Sequence, residues 1–311
     1  MTSMTLRGLT AEQLAAFNRD GYLIIPNALT PATVSSLLAE THRLLESFSL
    51  EDHPLTRFST GQKSEHVGDD YFLTSGDKVR FFFEEDAFDD DGSLNKPKAR
   101  AVNKIGHYLH ALSPPFARLI DDAALRAAGE ASPGAVARSV GFKDPRCLQS
   151  MVICKQPEIG GAVPPHQDST FLYTDPPSAV GFWYALEDAT LENGCLSFLP
   201  GSHHWAAVEQ RLVRKPGDTG TEMVDNDGPR FPAGEGYGVA PPEAGGEYVA
   251  GEVKAGDLVL IHGNLLHKSE KNTSQKGRII YTFHIIEGEG REYDKRNWLQ
   301  PPKEGFTKLL A

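Results

Sequence analysis

Cysteine, long apolar runs and surplus basic charge are what this sequence lacks. Its three cysteines, Cys147, Cys154 and Cys195, form no CxxC pair, which argues against a disulfide framework and favours a reducing compartment. No apolar run approaches the roughly 18 residues that cross a bilayer. With 31 basic and 42 acidic residues the net charge is −11, which disfavours nonspecific binding to nucleic acid or to anionic membranes.

These absences predict a cytoplasmic protein without a nucleic-acid or membrane partner. The first ten residues contain no signal-peptide core, which agrees with that expectation. What is present is ordinary for a globular chain, since 40% of the residues are apolar and 23% are charged. A monomer is the starting expectation for the oligomeric state.

Helical patterns dominate roughly the first 148 residues. Thr10 and Gln13 form a capping box, and Thr30 followed by Pro31 is a favourable start for a second helix. The elements predicted here are a helix from Thr10 to Asp20-Gly21, a strand over 22–25, a helix after Thr30-Pro31, a loop over 51–70, an extended segment over 71–83 and a helix over 102–112 that Pro114 ends.

Short apolar, β-rich runs separated by turn residues follow from about residue 149. Helices first and strands later indicate an α+β fold with a sandwich or jelly roll. We expect a single domain over 1–311, helix-rich over 1–148, with a jelly-roll core over about 149–290. Residues 216–246 contain 8 Gly and 5 Pro, which predicts a long loop that is either an active-site lid or an inert insertion.

The segment around His166 and Asp168 is the best candidate for chemistry. Residues i and i+2 of an extended chain point to the same side, so these two side chains could bind one metal ion. A third ligand is available from a strand-and-turn segment about a hundred residues later, where His262 and His267 are both candidates. Two histidines and one carboxylate form the facial triad of non-haem Fe(II) oxygenases, whereas structural zinc favours four protein ligands.

Arg278 begins another apolar strand, 11 residues after His267. A guanidinium at the end of a buried strand needs an anion. A dicarboxylate that chelates iron at one end would offer its other carboxylate to this side chain. An ordinary salt bridge to a glutamate is the alternative interpretation. His284 has the same strand parity and is expected to be a hydrogen-bonded core histidine, while His203 is a weaker candidate on the substrate side.

These residues resemble the Fe(II)/2-oxoglutarate dioxygenases of the phytanoyl-CoA dioxygenase family. The resemblance covers about residues 10–302 and includes the family's strand-and-turn over 193–203. Motifs typical of one branch of the family occur over 71–83, 103–107, 166–168 and 297–301. The resemblance implies a double-stranded β-helix core (jelly-roll, cupin-like) with the N-terminal helices packed on one sheet. The 216–246 stretch departs from the family pattern, near the expected substrate entrance.

The resemblance also implies roles for individual residues. The family ligand is followed by a small residue two positions on and by the arginine eleven on, a spacing that His267, Ser269 and Arg278 fit and His262 does not. By the same resemblance, further residues would line the 2-oxoglutarate pocket. Met151 and Trp183 could instead be core, and Lys104 a solvated helix lysine. The implied pocket residues are Lys104, Met151, Trp183, Ser269 and Arg278.

The implied activity is hydroxylation of an unidentified small molecule, with Fe(II), 2-oxoglutarate and O₂ and with release of succinate and CO₂. His166, Asp168 and His267 would be the metal ligands and catalytic residues. Asp168 matters for the outcome, because its carboxylate fills the position that halide would occupy in a related halogenase. Two alternatives stay open at this point. One is a catalytically quiet jelly-roll protein that binds a ligand, and the other is a zinc-dependent hydrolase.

Overall fold

The computed structural model describes residues 8–57 and 70–309. Its helices are α1 (Ala11–Asp20), α2 (Pro31–Ser47), α3 (Asp70–Leu73), α4 (Lys98–Ala101), α5 (Leu109–Leu112), α6 (Pro114–Ala117), α7 (Asp122–Ala128) and α8 (Pro133–Ser139). Its strands are β1 (Tyr22–Ile25), β2 (Val79–Phe83), β3 (Val102–His107), β4 (Pro145–Lys155), β5 (Val163–His166), β6 (Thr174–Asp175), β7 (Val180–Ala185), β8 (Leu196–Phe198), β9 (Gln210–Arg214), β10 (Thr221–Asp225), β11 (Val249–Gly251), β12 (Leu258–His262), β13 (His267–Ser269), β14 (Arg278–Glu287), β15 (Glu292–Tyr293) and β16 (Thr307–Lys308).

The first two helices begin where their capping residues predict. Thr10 accepts a hydrogen bond from the backbone of Gln13, whose side chain reaches back to Thr10, so the capping box is confirmed. Gly21 ends α1 in the left-handed conformation, at φ 79°, and β1 follows at once. Thr30 caps α2 and Pro31 occupies its first turn, as predicted.

Two antiparallel sheets form the jelly roll, which confirms the α+β fold. The larger sheet has the order β1-β12-β7-β14-β4-β3-β2, with β16 also paired to β4. The smaller sheet has the order β11-β8-β13-β5. Strands β1, β2 and β3 come from the helix-rich part of the chain, so that part also contributes to the large sheet. The extent of a single domain over 1–311 stays a prediction.

The two faces of the large sheet bury different side chains, because successive residues of a strand point to opposite sides. The helix-covered face of the large sheet packs against α1 and α2 and forms one apolar cluster with them. The inner face of the large sheet packs against β8 of the smaller sheet and forms a second apolar cluster. The helix-covered cluster includes Phe17, Val34, Leu37, Val152, Phe182, Tyr184, Leu260 and Phe283. The inner cluster includes Trp183, Ala185, Leu196, Phe198, Val259, Ile261 and Ile280.

Two predicted elements are wrong. Residues 102–107 form the strand β3 between β2 and β4, and only Leu109–Leu112 is helical. Val102 and Ile105 fit helical spacing, but the strand is buried almost throughout, so it shows no two-residue alternation. The extended segment predicted over 71–83 begins instead with the helical turn α3. There Phe72 stacks on Trp298 with ring centroids 4.3 Å apart.

The remaining expectations for loops and cysteines are answered in part. The 216–246 stretch is not loop throughout, because β10 pairs with β9 in a hairpin. Most of the loop predicted over 51–70 lies outside the described residues. Cys147, Cys154 and Cys195 are free and buried. None of the described helices is long and apolar enough to cross a membrane.

Candidate active site

Strand pairing brings the three predicted metal ligands together. His166 ends β5 and His267 begins β13, and the two residues lie opposite each other in the small sheet. Asp168 starts a single 3₁₀ turn, separated from β5 by Gln167 alone. Each histidine Nε2 lies 3.8 Å from Asp168 Oδ1. Among the described residues, this is the one group of three or more metal-type side chains, with ligand atoms within 4.8 Å of one another.

Both histidines hold the tautomer that a metal ion requires. His166 Nδ1 donates to the Pro164 carbonyl at 2.9 Å, and His267 Nδ1 donates to the Leu265 carbonyl at 3.1 Å. Each Nε2 is therefore the lone-pair nitrogen and faces the other ligands. Donors about 2 Å from a shared ion lie up to about 4 Å apart, so this spacing suits one metal ion.

The electrostatics keep the ligand set ready for a cation. Burial lowers the pKa of His166 to about 4, with a further contribution from His267, so the ring is neutral at physiological pH. Burial alone would raise the pKa of Asp168, but His284 and His267 outweigh it and hold that pKa far below its ordinary value. A carboxylate beside two imidazole nitrogens is a ligand set that Fe(II) and similar divalent ions bind.

His284 supports Asp168 from β14, a role that goes beyond the core histidine expected from the sequence. Its Nε2 lies 3.3 Å from Asp168 Oδ2, and its Nδ1 lies 3.5 Å from Gln149 Nε2. Gly181 lies opposite His284 in β7, where a Cβ atom would come within 3.3 Å of Asp168 Oδ2. Strand parity with Arg278 was the available sequence signal for His284. For Gln149 the comparable signal was its parity with Met151 in β4.

Arg278 lies on the same inner face, buried to 3% exposure at the start of β14. Its Nε and Nη1 have no hydrogen-bond partner, and its guanidinium lies 5.2 Å from the centre of the Trp183 ring. Burial lowers the pKa of Arg278 to about 10, which leaves it charged at neutral pH. No described carboxylate lies within 4.0 Å of it, so the described residues provide no partner for the alternative of an ordinary salt bridge. A buried, unsatisfied guanidinium is a site for an anion.

The other expected pocket residues also lie on the inner face. Met151 lies opposite Thr282, and Trp183 lies opposite that same residue from the other side of β14. Lys104 is buried on β3, so its interpretation as a solvated helix lysine is wrong. Burial lowers its pKa well below the ordinary value. Trp183 also belongs to the inner apolar cluster. Its interpretation as a core residue is therefore compatible with its interpretation as a wall of the pocket.

Ser269 completes the expected set and introduces a residue that the sequence reasoning missed. Ser269 is two positions after His267 on β13 and is buried. Its hydroxyl accepts a hydrogen bond from Lys155 Nζ at 2.8 Å. Lys155 ends β4 directly opposite Arg278. Its parity with Met151 in β4 was the signal that could have found it.

His262 and His203 lie outside this group. His262 ends β12, and its Nε2 is 3.3 Å from the Tyr237 hydroxyl, within the 216–246 stretch. His203 Nε2 donates to the Asn18 carbonyl at 3.0 Å, at the end of α1. Burial lowers the pKa of His262 to about 3 and that of His203 to about 4. His262 thus links Tyr237 to β12, and the His203 ring lies 6.4 Å from the Tyr237 ring, centre to centre.

A sequence profile described as phytanoyl-CoA dioxygenase (PhyH) matches residues 17–280 of this chain. The chain belongs to the phytanoyl-CoA dioxygenase family. Phytanoyl-CoA dioxygenase domain-containing protein 1 of Danio rerio is 41% identical over 300 residues, covering 95% of this chain and 96% of that protein. The Mus musculus protein of the same name is 40% identical over 311 residues, covering 97% and 99%. The resemblance inferred from the motifs is therefore confirmed.

Solved structures agree on the fold of this phytanoyl-CoA dioxygenase family member. The non-haem alpha-ketoglutarate-dependent carbocyclase SnoK superposes with a TM-score of 0.58 at 19% identity, covering 92% of this chain and 86% of SnoK. EctD from S. alaskensis with bound Fe superposes with a TM-score of 0.57 at 20% identity, covering 94% and 82%. These likenesses establish the jelly-roll architecture.

Proposed function

We propose that this protein is an Fe(II)- and 2-oxoglutarate-dependent dioxygenase that hydroxylates a small molecule. The observation that carries the proposal is a three-ligand metal set on the small sheet, together with a buried arginine on the inner face of the large sheet that lacks a partner among the described residues. His166, Asp168 and His267 would hold the ion and leave its remaining positions open. Arg278 would bind the distal carboxylate of the cosubstrate.

Relatives of known chemistry support the same assignment. EctD from S. alaskensis has been crystallised with 2-oxoglutarate and 5-hydroxyectoine. The epimerase SnoN has been crystallised with Fe³⁺, alpha-ketoglutarate and nogalamycin RO. Both were crystallised with small molecules, and we extend that class of ligand to this chain as its substrate class. The solved structures that share the fold include a carbocyclase and an epimerase, so hydroxylation rests on our proposal.

When bound, Fe(II) and 2-oxoglutarate supply the oxidation of a substrate C–H bond by O₂, with release of succinate and CO₂. The chain's own residues bind, orient and exclude water. Asp168 occupies the position that a halide would need, which favours hydroxylation over chlorination. Met151 and Trp183 provide apolar walls, and the buried amine of Lys104 on β3 lies beside Met151 on the neighbouring strand β4.

Succinate release tests the proposal. The purified full chain with Fe(II), 2-oxoglutarate and O₂ should form succinate. In a screen of metabolites, the substrate should be the compound that raises the rate of succinate formation. The His166→Ala variant should lose it, whereas a variant of the exposed His42, His42→Ala, should keep it. A wild type without iron-dependent succinate in any screen would contradict an enzyme. Binding of 2-oxoglutarate without turnover would indicate a quiet binding protein, and co-purified zinc with hydrolysis would indicate the zinc enzyme.

A further inference from the structure

Two buried cations lie side by side at one end of the inner face. Lys155 and Arg278 are directly opposite each other in the antiparallel pair β4–β14, and each is 3% exposed. Side chains opposite each other on one face are close neighbours, and like charges in that position repel. An arrangement that costs stability in this way requires a compensating partner.

The described part of the chain does not supply a carboxylate as that partner. No Asp or Glu oxygen among the described residues lies within 4.0 Å of either cation. Glu270 is nearby, but it offers Lys155 its backbone carbonyl and pairs its carboxylate with Lys268. Glu84 approaches from the end of β2 and accepts a hydrogen bond from the Gly161 backbone at 3.2 Å. The charge balance therefore calls for an external anion.

The hydrogen bond from Lys155 to Ser269 fixes the direction of the serine proton. In its charged form the ammonium group of Lys155 has three donors and no acceptor, so Ser269 Oγ is then the acceptor in this 2.8 Å contact. The single hydroxyl proton of Ser269 is then free for another partner. Because Ser269 shares its strand face with His267, that proton is available to a ligand of the site.

The surrounding backbone is shaped around the lysine side chain. A Cβ atom at Gly194 would lie 2.9 Å from Lys155 Nζ, and one at Gly160 would lie 2.5 Å from Lys155 Cγ. Gly194 also has a positive φ of 80°, a conformation that favours glycine. Both glycines therefore leave room for Lys155 to reach Ser269.

We infer that Lys155 is a positioning residue for the distal carboxylate of the cosubstrate. It orients the Ser269 hydroxyl toward that carboxylate and adds a second positive charge beside Arg278. The inference rests on the proposed function, because it assumes that Arg278 binds this carboxylate. It predicts that Lys155 distinguishes dicarboxylates from monocarboxylates at the site.

The protonation of Lys155 agrees with a role that depends on the anion. Burial and then the charge of Arg278 lower the pKa of Lys155 to about 7, and Glu84 and Glu270 oppose this shift only partly. Among the described residues, Cys195, just before β8, also acts on the pKa of Lys155 and raises it. An anion beside Lys155 favours its charged form, so its pKa should rise when a dicarboxylate binds.

A comparison of two keto acids tests the inference. The full chain is loaded with Mn(II), and calorimetry gives the Kd of 2-oxoglutarate and of 2-oxovalerate, which lacks the distal carboxylate. Lys155→Met should raise the Kd of 2-oxoglutarate about tenfold or more, which is the scale of a charge-assisted hydrogen bond. It should change the Kd of 2-oxovalerate less than about twofold. Lys155→Gln keeps a donor and should lose less. Lys268→Met, on the opposite face of β13, should change neither.

The possible outcomes separate this inference from the proposed function. Equal losses for both acids, or no loss for either, would show that Lys155 only ties β4 to β13, and would overturn the inference. A manganese-loaded wild type that binds neither acid would contradict the proposed function, and the inference would fail with it.

If the Lys155 variants do not fold, the wild type still provides a test. Calorimetry at pH 8 in buffers of different ionisation enthalpy measures the protons taken up on binding. A lysine with a pKa of about 7 is mostly neutral at that pH. Binding of 2-oxoglutarate should therefore protonate Lys155, with an uptake approaching one proton for each molecule bound. Binding of 2-oxovalerate should bring little. Equal uptake with the two acids would overturn the inference.

Discussion

The two faces of the large sheet come from the same strands but are built for different tasks. In β14, Tyr281 and Phe283 point into the helix-covered cluster, whereas Arg278, Thr282 and His284 point to the inner face. The first pair is apolar apart from one hydroxyl and is fully buried. The second set includes an unpartnered cation and a histidine beside the metal ligands.

This difference separates stability from chemistry within single strands. Apolar side chains on the helix-covered face remove surface from water and so stabilise the fold. Buried polar groups on the inner face cost stability unless they are paired. A bound ligand that pairs with these groups would offset that cost. Substitutions on one face should therefore change one property and leave the other nearly unaltered.

The largest expected effect is the loss of metal binding in Asp168→Asn. The amide has no negative charge, so the affinity for Mn(II) should fall at least about 100-fold. The melting temperature of the metal-free protein should change by only a few degrees. Mn(II) titration followed by electron paramagnetic resonance measures the first quantity, and circular dichroism measures the second. Wild-type affinity in the variant would exclude Asp168 as a ligand.

The opposite face should respond in the opposite way to Phe283→Ala. Phe283 is fully buried and stacks on Phe182 with ring centroids 4.8 Å apart. Its truncation should lower the free energy of unfolding by about 3–5 kcal/mol, measured by urea denaturation. The Kd of Mn(II) for the folded variant should stay within about twofold of wild type. A large change in metal affinity would break the separation of the two faces.

Sequence reasoning predicted the parts of this molecule that local chemistry determines. Caps at Thr10 and Thr30 located two helices, and the apolar runs located β7, β12 and β14. It was wrong over residues 102–107, because the pairing of β3 with β2 and β4 overrides a helical spacing of apolar residues. Which strands become neighbours is a property of the whole sheet, so no single segment contains it.

The same limit applies to the site. Spacing and family resemblance predicted His166, Asp168 and His267 as candidate metal ligands, which the structure brings together, and Arg278 as an anion site. His284 and Lys155 act through strand register, as neighbours of Asp168 and Arg278 in space. Their parity was visible in the sequence, but the partner strand was not. Supporting residues of this kind become evident only once β4, β7 and β14 are placed side by side.

A buried histidine on the helix-covered face, His110, also allows the two faces of the large sheet to be compared. His110 is buried there, and its Nδ1 lies 2.8 Å from Ser150 Oγ. Burial lowers the pKa of His110 to about 4, so between about pH 6.5 and 4 the unfolded chain binds more protons than the folded one. Its contribution to stability is complete above that range and is lost as the pH falls through it.

His110→Asn should therefore flatten the acid dependence of stability. The asparagine keeps a donor for Ser150 but does not titrate. The decrease in unfolding free energy between pH 7 and pH 4 should shrink by up to about 3 kcal/mol relative to wild type. Urea denaturation at both pH values measures this, with His42→Gln at an exposed position as the control. An unchanged acid dependence would contradict the burial of a neutral His110.

The smallest expected effect concerns His284, which supports the metal site from the inner face. His284→Leu removes the Nε2 that lies 3.3 Å from Asp168 Oδ2, so Asp168 loses a group that orients it. The Mn(II) affinity should fall about 10- to 100-fold, the usual cost of losing an outer partner of a metal ligand. His284→Gln, whose amide can reach the same carboxylate, should recover part of that loss.

Unfolding free energies should stay close to wild type in both His284 variants, because a histidine beside a ligand set contributes more to the ligand's orientation than to packing. Equal metal affinities in the Leu and Gln variants would show that His284 only fills space, and the inner face would then be less specialised than its polar residues imply.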